Sequence, residues 1–539
     1  MNFGMTYAIP STLDSTRERT VLGLSPEVHR PLRFRGRVKS DVLSIRLALQ
    51  ALGRVVWNDE TWLSDQDYLW RVLDPVITVH PDRVFFEAFS QDLSSYGLVI
   101  VDRARFETEG EVVCGTTNVD FTAWLAAALD EMRTSRVTYF AVEPQGFEVA
   151  TRGAGGRYEP KVDVPDTWVR AFLSLQASMA MPGTRLAVRP VDLLAAVRHL
   201  AFTKAKMSPR GIRYEFEPGR DARLVLEPWE HVVPLRGASH AYAEPHTIRV
   251  WGRRRLRLLE GLLPYADGVE VFLKGRAMPH FYAVHLPGAT FVLGLSGWTA
   301  NNFSDGGGLD LLAASDAPED LIARAIDALR SRVTGTTDDV AKALGVEPSL
   351  AARALVRACR RGRCLFDVAR REWRHRELFA EPLDEVDVFP PDARLLAAQG
   401  LVASDAVTVD QAAIRETRKR KRLKTPDGPV ERDVVYRDWQ VTGSVKDSAV
   451  YKTEVVQNDE DRVIFGTCTC EWFRVNLLAR GPCAHMLALT QVARPLRAEA
   501  ATSVAADPAL RVPVKLPRDV VTDDDLADDE PEDEGDGTV

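Results

Sequence analysis

Short apolar runs closed by turn residues dominate the chain from Val76 onward. PVITV, RVFFEAF, YGLVIVD and GEVVCG are β-branched or aromatic and predict strands. Cys114 falls in the last of these and reads as a small buried residue. FTAWLAAALDEM then predicts a helix, VTYFAV and GFEVAT further strands, and VPDTWVRAFLSLQASM another helix beyond the connector RGAGGRYEP. Before Val76 the pattern is clear only in SDVLSIRLALQALGRV, whose apolar positions recur at helical spacing. Residues 1–75 are therefore expected to form a helical N-terminal region.

Residues 185–296 repeat a pattern. Strand RLAVR, helix PVDLLAAVRHLAF and strands GIRYEFEP, ARLVLEPW and EHVVPL are followed by strand HTIRVWG, helix RRRLRLLEGLLPYA and strands GVEVFLK, HFYAVHL and ATFVLGLS. Both units are βαβββ, with helices expected on one face of an antiparallel sheet. This order resembles the half-domain of DNA sliding clamps, and many other α+β domains share it. Residues 76–300 are expected to be α+β throughout. Arg253, Arg254 and Arg255 open the second helix, where a solvated face is a better reading than a phosphate site.

Residues 318–378 predict a winged helix-turn-helix. PEDLIARAIDALRSRV is amphipathic; TTDDVAKALGV carries Thr336 and Asp339 at capping-box spacing and ends at Gly345. EPSLAARALVRACRRG is a third helix, and RCLFDVARREWRHREL a strand, turn and strand. On the third helix Arg353, Arg357 and Arg360 fall on one face and Ala351, Leu355 and Ala358 on another. That stripe, continued by Arg370, Arg371, Arg374 and Arg376 in the wing, suits phosphate and base contacts, DNA ahead of RNA. The other reading is a protein-contact module with solvated arginines. Cys359 and Cys364 read as core residues.

Charge changes the picture at two places. Within the expected linker, residues 379–429, positions 415–424 hold seven bases against one acid, Glu416. Arg418, Lys419, Arg420, Lys421 and Arg422 stand in unbroken succession; such a run repels itself, is expected to be mobile, and would release counterions on meeting phosphates. The net charge of −8 comes from the other end. Eleven acids and no bases follow Arg518, so the chain without that stretch carries −8 + 11 = +3. Residues 496–539 read as a Pro/Ala-rich linker and a disordered acidic tail, useful for solubility or for competing with nucleic acid.

The densest chemistry lies between Cys468 and His485, in CTCEWFRVNLLARGPCAH. Three of the six cysteines and one of the ten histidines fall within these eighteen residues. Cys468 and Cys470 on one strand face the same way, so both thiolates reach one ion. Gly481 and Pro482 place Cys483 in a turn and His485 in the first turn of the helix AHMLALTQVA. Four protein ligands leave no open position, so the expected site is structural Zn2+ rather than catalytic.

C-x-C, a spacer and C-x-H, preceded by the strands VVYRDWQVTG, AVYKTEVVQ and RVIFGTCTC, is similar to the SWIM zinc finger over about residues 430–495. The resemblance implies a small ββα binding module with Cys468, Cys470, Cys483 and His485 as ligands, and leaves the recognition surface open. SWIM modules are thought to bind DNA or proteins. WGRRRLRLLEGLLP and FVLGLSGWTANNFSDGGGLDLL also resemble the larger bacterial SWIM proteins in wording and order, without attached chemistry. Such proteins are often encoded beside MoxR-type AAA ATPases and von Willebrand A proteins, which implies a scaffold as the second function.

No P-loop, HExxH or GxSxG motif occurs, and SDGGGL lacks the lysine and hydroxyl of a phosphate cradle. No enzyme and no small-molecule substrate are expected. The N-terminus has no signal-peptide pattern and no stretch approaches eighteen apolar residues, so the expectation is a cytoplasmic protein away from membranes. The fold class expected is α+β and multidomain. Its function is zinc-dependent binding of nucleic acid, or adaptor work between proteins.

Overall fold

A computed structural model describes residues 3–6, 11–30, 32–56, 75–119, 128–142, 161–203, 211–275, 278–296, 302–304, 317–379, 381, 383, 388, 393–425, 428–457, 463–478, 481–506 and 512–513. The chain divides into two units, one built mainly from residues 1–389 and the other mainly from residues 390–539. It is mixed α+β, with several antiparallel sheets.

The first unit is organised on an eight-stranded antiparallel sheet. Its order is Thr184–Val188, Gly268–Leu273, His280–Leu286, Ala289–Leu295, Ser95–Asp102, Arg83–Phe89, Val76–Val79 and Gly115–Asn118. The central strands are buried along almost their whole length, which explains why they read as continuous apolar runs rather than alternating ones. Tyr96, Leu98 and Ile100 join a core with Trp168 and Phe172 of helix Asp166–Ala180. On the opposite face Gly97 lets helix Val42–Val56 approach; a Cβ there would stand 2.9 Å from Leu52 Cδ1.

Four sequence expectations are corrected here. The N-terminal region is not purely helical. Thr12–Ser15, Arg19–Leu24 and Phe34–Val38 are strands of a five-stranded sheet, in which Val137–Val142 pairs parallel to Arg19–Leu24. The two βαβββ units do not close as units either: RLAVR pairs with Gly268–Leu273, while HTIRV joins Ile212–Phe216 in a separate four-stranded sheet. In the second of the two βαβββ patterns Arg253–Leu259 is a 3-10 segment with Arg253 buried. Cys114 is exposed, just before a strand. FTAWLAAALDEM falls largely, and GFEVAT wholly, outside the described residues.

Residues 319–375 follow the predicted order. Helices Glu319–Arg332, Thr337–Leu344 and Pro348–Arg360 precede strands Cys364–Asp367 and Glu372–His375, and Thr334–Gly335 adds a third short strand. The Thr336–Asp339 capping box forms in both directions, and Gly345 ends its helix in the left-handed conformation at φ 69°. Ala354, Leu355, Ala358, Cys359 and Cys364 are buried in the core that also holds Phe172.

The second unit is a five-stranded sheet ordered Val463–Cys468, Val450–Gln457, Gly428–Lys446, Val407–Thr425 and Val512–Pro513. Helix Ala484–Ala506 lays Met486, Leu489 and Ala493 on Trp439, Val441 and Val455. The basic run expected to be a mobile linker lies inside strand Val407–Thr425. Residues Gly428–Lys446 pair with it along almost its full length, which holds the run in a strand in spite of the charge repulsion. Among the described residues no helix is long and apolar enough to cross a membrane.

Candidate metal centre

Three elements deliver the four ligands. Strand Val463–Cys468 ends on Cys468, held in register by the pairing of Cys468 with Thr453. Cys470 lies beyond that strand, a correction to the expected strand ending, and caps helix Glu471–Asn476, its sulfur 3.4 Å from the backbone N–H of Phe473. Gly481 takes φ 79°, a left-handed conformation that favours glycine, and reverses the chain into Cys483. Helix Ala484–Ala506 then begins, with His485 in its first turn. The short helix at Glu471–Asn476 is not legible in the sequence because six residues are too few to show a helical period.

Cys468, Cys470, Cys483 and His485 are all buried, and their ligand atoms lie within 4.8 Å of one another. Tetrahedral bonds of about 2.3 Å to sulfur and about 2.0 Å to nitrogen bring neighbouring ligand atoms roughly 3.5–3.8 Å apart. Cys468 Sγ and His485 Nδ1 are 3.6 Å apart. The donor set of three thiols and one imidazole therefore fits zinc. With all four positions taken by protein, the site is a structural Zn2+ centre.

The surroundings favour a cation. Hydrogen bonds from Cys483 and His485 pull the Cys468 thiol down to about 3, while Cys468 and burial push Cys483 up. His485 is raised, chiefly by Cys468 and with help from Asp447. Its Nε2 stands 3.4 Å from Asp447 Oδ2 and its ring stacks on Tyr451 at 4.4 Å, so Nδ1 is held toward the sulfurs. Thr453 Oγ1 lies 3.4 Å from Cys468 Sγ.

A closed Cys3His centre between strands and a helix defines a structural zinc module. Residues 454–493 match the SWIM zinc finger family, and the chain carries a SWIM zinc finger. No curated protein matches the chain. Among solved structures it is similar to proliferating cellular nuclear antigen from Entamoeba histolytica, at 8% identity over 49% of this chain and 98% of that one, TM-score 0.32. PCNA from Thermococcus kodakaraensis gives 11% identity over 49% of this chain and all of that one, TM-score 0.32. At that TM-score the likeness bears on neither fold nor function.

Within residues 319–375 the basic residues singled out in the sequence differ in exposure. Arg353 and Arg371 are exposed, Arg371 at φ 58° in the tight turn between the two strands, and Arg357 is half-buried. Arg360 is 7% exposed and Arg374 only 1%. Arg374 donates to both oxygens of Asp82, at 2.8 and 2.9 Å, and its Nε lies 3.9 Å from buried Asp367. Arg376 pairs with Glu87, neither side chain having any exposure. Arg360 and Arg374 are therefore corrected: neither guanidinium is placed for a duplex. Arg418, Lys419, Arg420, Lys421 and Arg422 lie on strand Val407–Thr425, in the same sheet as Cys468, with Arg420 exposed.

Proposed function

We propose that the protein binds nucleic acid, DNA in preference to RNA, with zinc fixing the sheet that presents its basic strand. The carrying observation is that seven bases and one acid at positions 415–424 sit on a strand of the sheet that ends in the metal ligands. Zinc binding supplies folding free energy to such a module, about 10–16 kcal/mol in comparable peptides. The helix, strand, helix, helix and hairpin of residues 319–375 support a winged-helix reading, in which Arg353 on the third helix and Arg370 and Arg371 in the wing are exposed cations. The proposed setting is the cytoplasm and the role is non-enzymatic.

Titration of the zinc-loaded chain with duplex DNA between about 50 and 200 mM salt tests this reading, because each phosphate neutralised adds about 0.9 to the salt slope. Steep loss of affinity supports it. Salt-insensitive binding, or no retention on DNA, rejects it.

One observation favours a second reading, an adaptor between proteins, with a MoxR-type AAA ATPase or a von Willebrand A protein as proposed partners. Val475 is 73% exposed and Leu477 61%, both a few residues from the ligand Cys470. Apolar side chains presented beside a fixed metal centre suit a protein partner.

A further inference from the structure

We infer that the cleft shared by Lys39 and the hairpin tip at Arg370 seats a backbone phosphate of duplex DNA, held by those two cations. This rests on the nucleic-acid reading and adds where the duplex meets the first unit.

Four turns far apart in sequence build the cleft, which has a volume of about 560 Å3. Lys39 follows strand Phe34–Val38, and Asp82 lies between Val76–Val79 and Arg83–Phe89. Arg105 closes the 3-10 turn after Asp102, and Arg370 lies between Cys364–Asp367 and Glu372–His375. That volume is within the range of small-ligand sites, so a phosphate fits with the sugars beside it.

The acids around the cleft are committed to other bases. Arg374 donates to both oxygens of Asp82. Arg83 stands 3.3 Å from Asp102 through Nε and donates from Nη1 to Asp367 at 2.7 Å. Arg105 donates to Asp41 at 2.8 Å. Lys39 and Arg370 are exposed, and among the described residues neither side chain has a hydrogen bond or ion pair. The excess positive charge reaches Arg83, which is pushed below its ordinary value by burial first and also by Arg374 and Arg370, against the pull of Asp367 and Asp102. A bound phosphate relieves that repulsion.

Both cations stand on fixed backbone. Asp367, with no exposure, accepts from the Arg370 N–H at 3.1 Å, and its carbonyl accepts from the Arg371 N–H at 2.7 Å. The Lys39 N–H donates to the Arg105 carbonyl at 2.8 Å. Fixed positions reduce the ordering that binding must impose. The third helix offers less. It packs against Glu319–Arg332, Thr337–Leu344 and Asp166–Ala180, and its last turn, Ala358–Arg360, is buried. Solubility alone accounts for scattered surface cations. It does not require two unpaired ones at a single cleft whose acids are all taken.

Binding of the full-length, zinc-loaded chain to a duplex of about 20 base pairs is read by fluorescence anisotropy at graded salt. Lys39→Gln with Arg370→Gln is expected to weaken binding roughly tenfold and to lower the salt slope by about 0.9, the share of one phosphate. Arg17→Gln with Arg198→Gln removes two exposed cations outside the cleft and should weaken binding less than about threefold. Lys39→Arg with Arg370→Lys keeps both charges and should bind like wild type. Unfolding midpoint and zinc content should match wild type in every variant. Equal losses in the two glutamine doubles would overturn the phosphate seat while leaving the nucleic-acid reading standing. No duplex binding by the wild-type chain would overturn both. Inorganic phosphate is the second probe. If it raises the unfolding midpoint of wild type but not of Lys39→Gln with Arg370→Gln, and that double binds duplex normally, the duplex is overturned as the occupant.

Discussion

The Asp447 carboxylate stands 3.4 Å from His485 Nε2, across the imidazole from Cys468, whose sulfur lies 3.6 Å from Nδ1. Asp447 sits in the turn between two strands of the finger sheet. The carboxylate thus orients a metal ligand without being one. Partners of this kind typically change metal affinity by about 10–100-fold. Asp447→Ala is expected to weaken zinc binding within that range, measured by competition with a chelator, while a saturated sample keeps the wild-type circular dichroism spectrum.

Glu87 and Arg376 form a fully buried pair in the first unit, and Glu87 also accepts from Tyr96 Oη at 2.7 Å and Gln176 Nε2 at 3.1 Å. Arg376→Ala strands a buried carboxylate and is expected to cost about 3–5 kcal/mol, read by denaturant unfolding. Adding Glu87→Gln keeps the amide and hydroxyl partners and should recover much of that loss.

Arg374 and Arg353 make opposite predictions although both are arginines of the same small domain. Arg374→Ala breaks the pairing with Asp82 and should lower thermal stability. Arg353→Ala alters an exposed position and should leave stability within about 0.5 kcal/mol. If the winged-helix face meets DNA, only Arg353→Ala changes affinity at equal folded fraction.

Two histidines set a pH dependence. Burial, with help from Arg374, lowers His80 to about 4, and burial lowers His280 to about 3, from an ordinary 6.5. Both are neutral in the fold, so the unfolded chain takes up protons first as pH falls below 6.5. Stability is fully present above that pH and is lost as pH falls, down to about 4 for His80 and about 3 for His280, by an amount on the order of a few kcal/mol. Thermal unfolding at pH 7.5 and pH 5 should show the loss, and His280→Asn should reduce the difference.

The metal site was legible because its ligands are close in sequence and their spacing is dictated by one ion. Gly481 and Pro482 even marked the turn that frees Cys483 from the helix. The capping box at Thr336 was legible for the same reason, being a contact three residues long. Long-range partners were not. Arg374 and Arg376 look solvent-bound in a charged hairpin, and the acids that absorb them, Asp82 and Glu87, come almost three hundred residues earlier. The run around Lys419 looked mobile because charge density argues against structure locally; its strand partner at residues 428–446 supplies what local reasoning lacks. The βαβββ pattern was visible in order but not in pairing, since strand neighbours depend on which edges meet.

Zinc stoichiometry tests the central claim most directly. Reduced, chelator-washed protein reconstituted with zinc should hold one ion per chain by elemental analysis, and Cys483→Ser should hold less than a tenth of that after the same washing. The variant should keep the unfolding transition of the first unit. A wild-type chain without stoichiometric zinc, or a Cys483→Ser chain that retains the ion as tightly, would contradict the account.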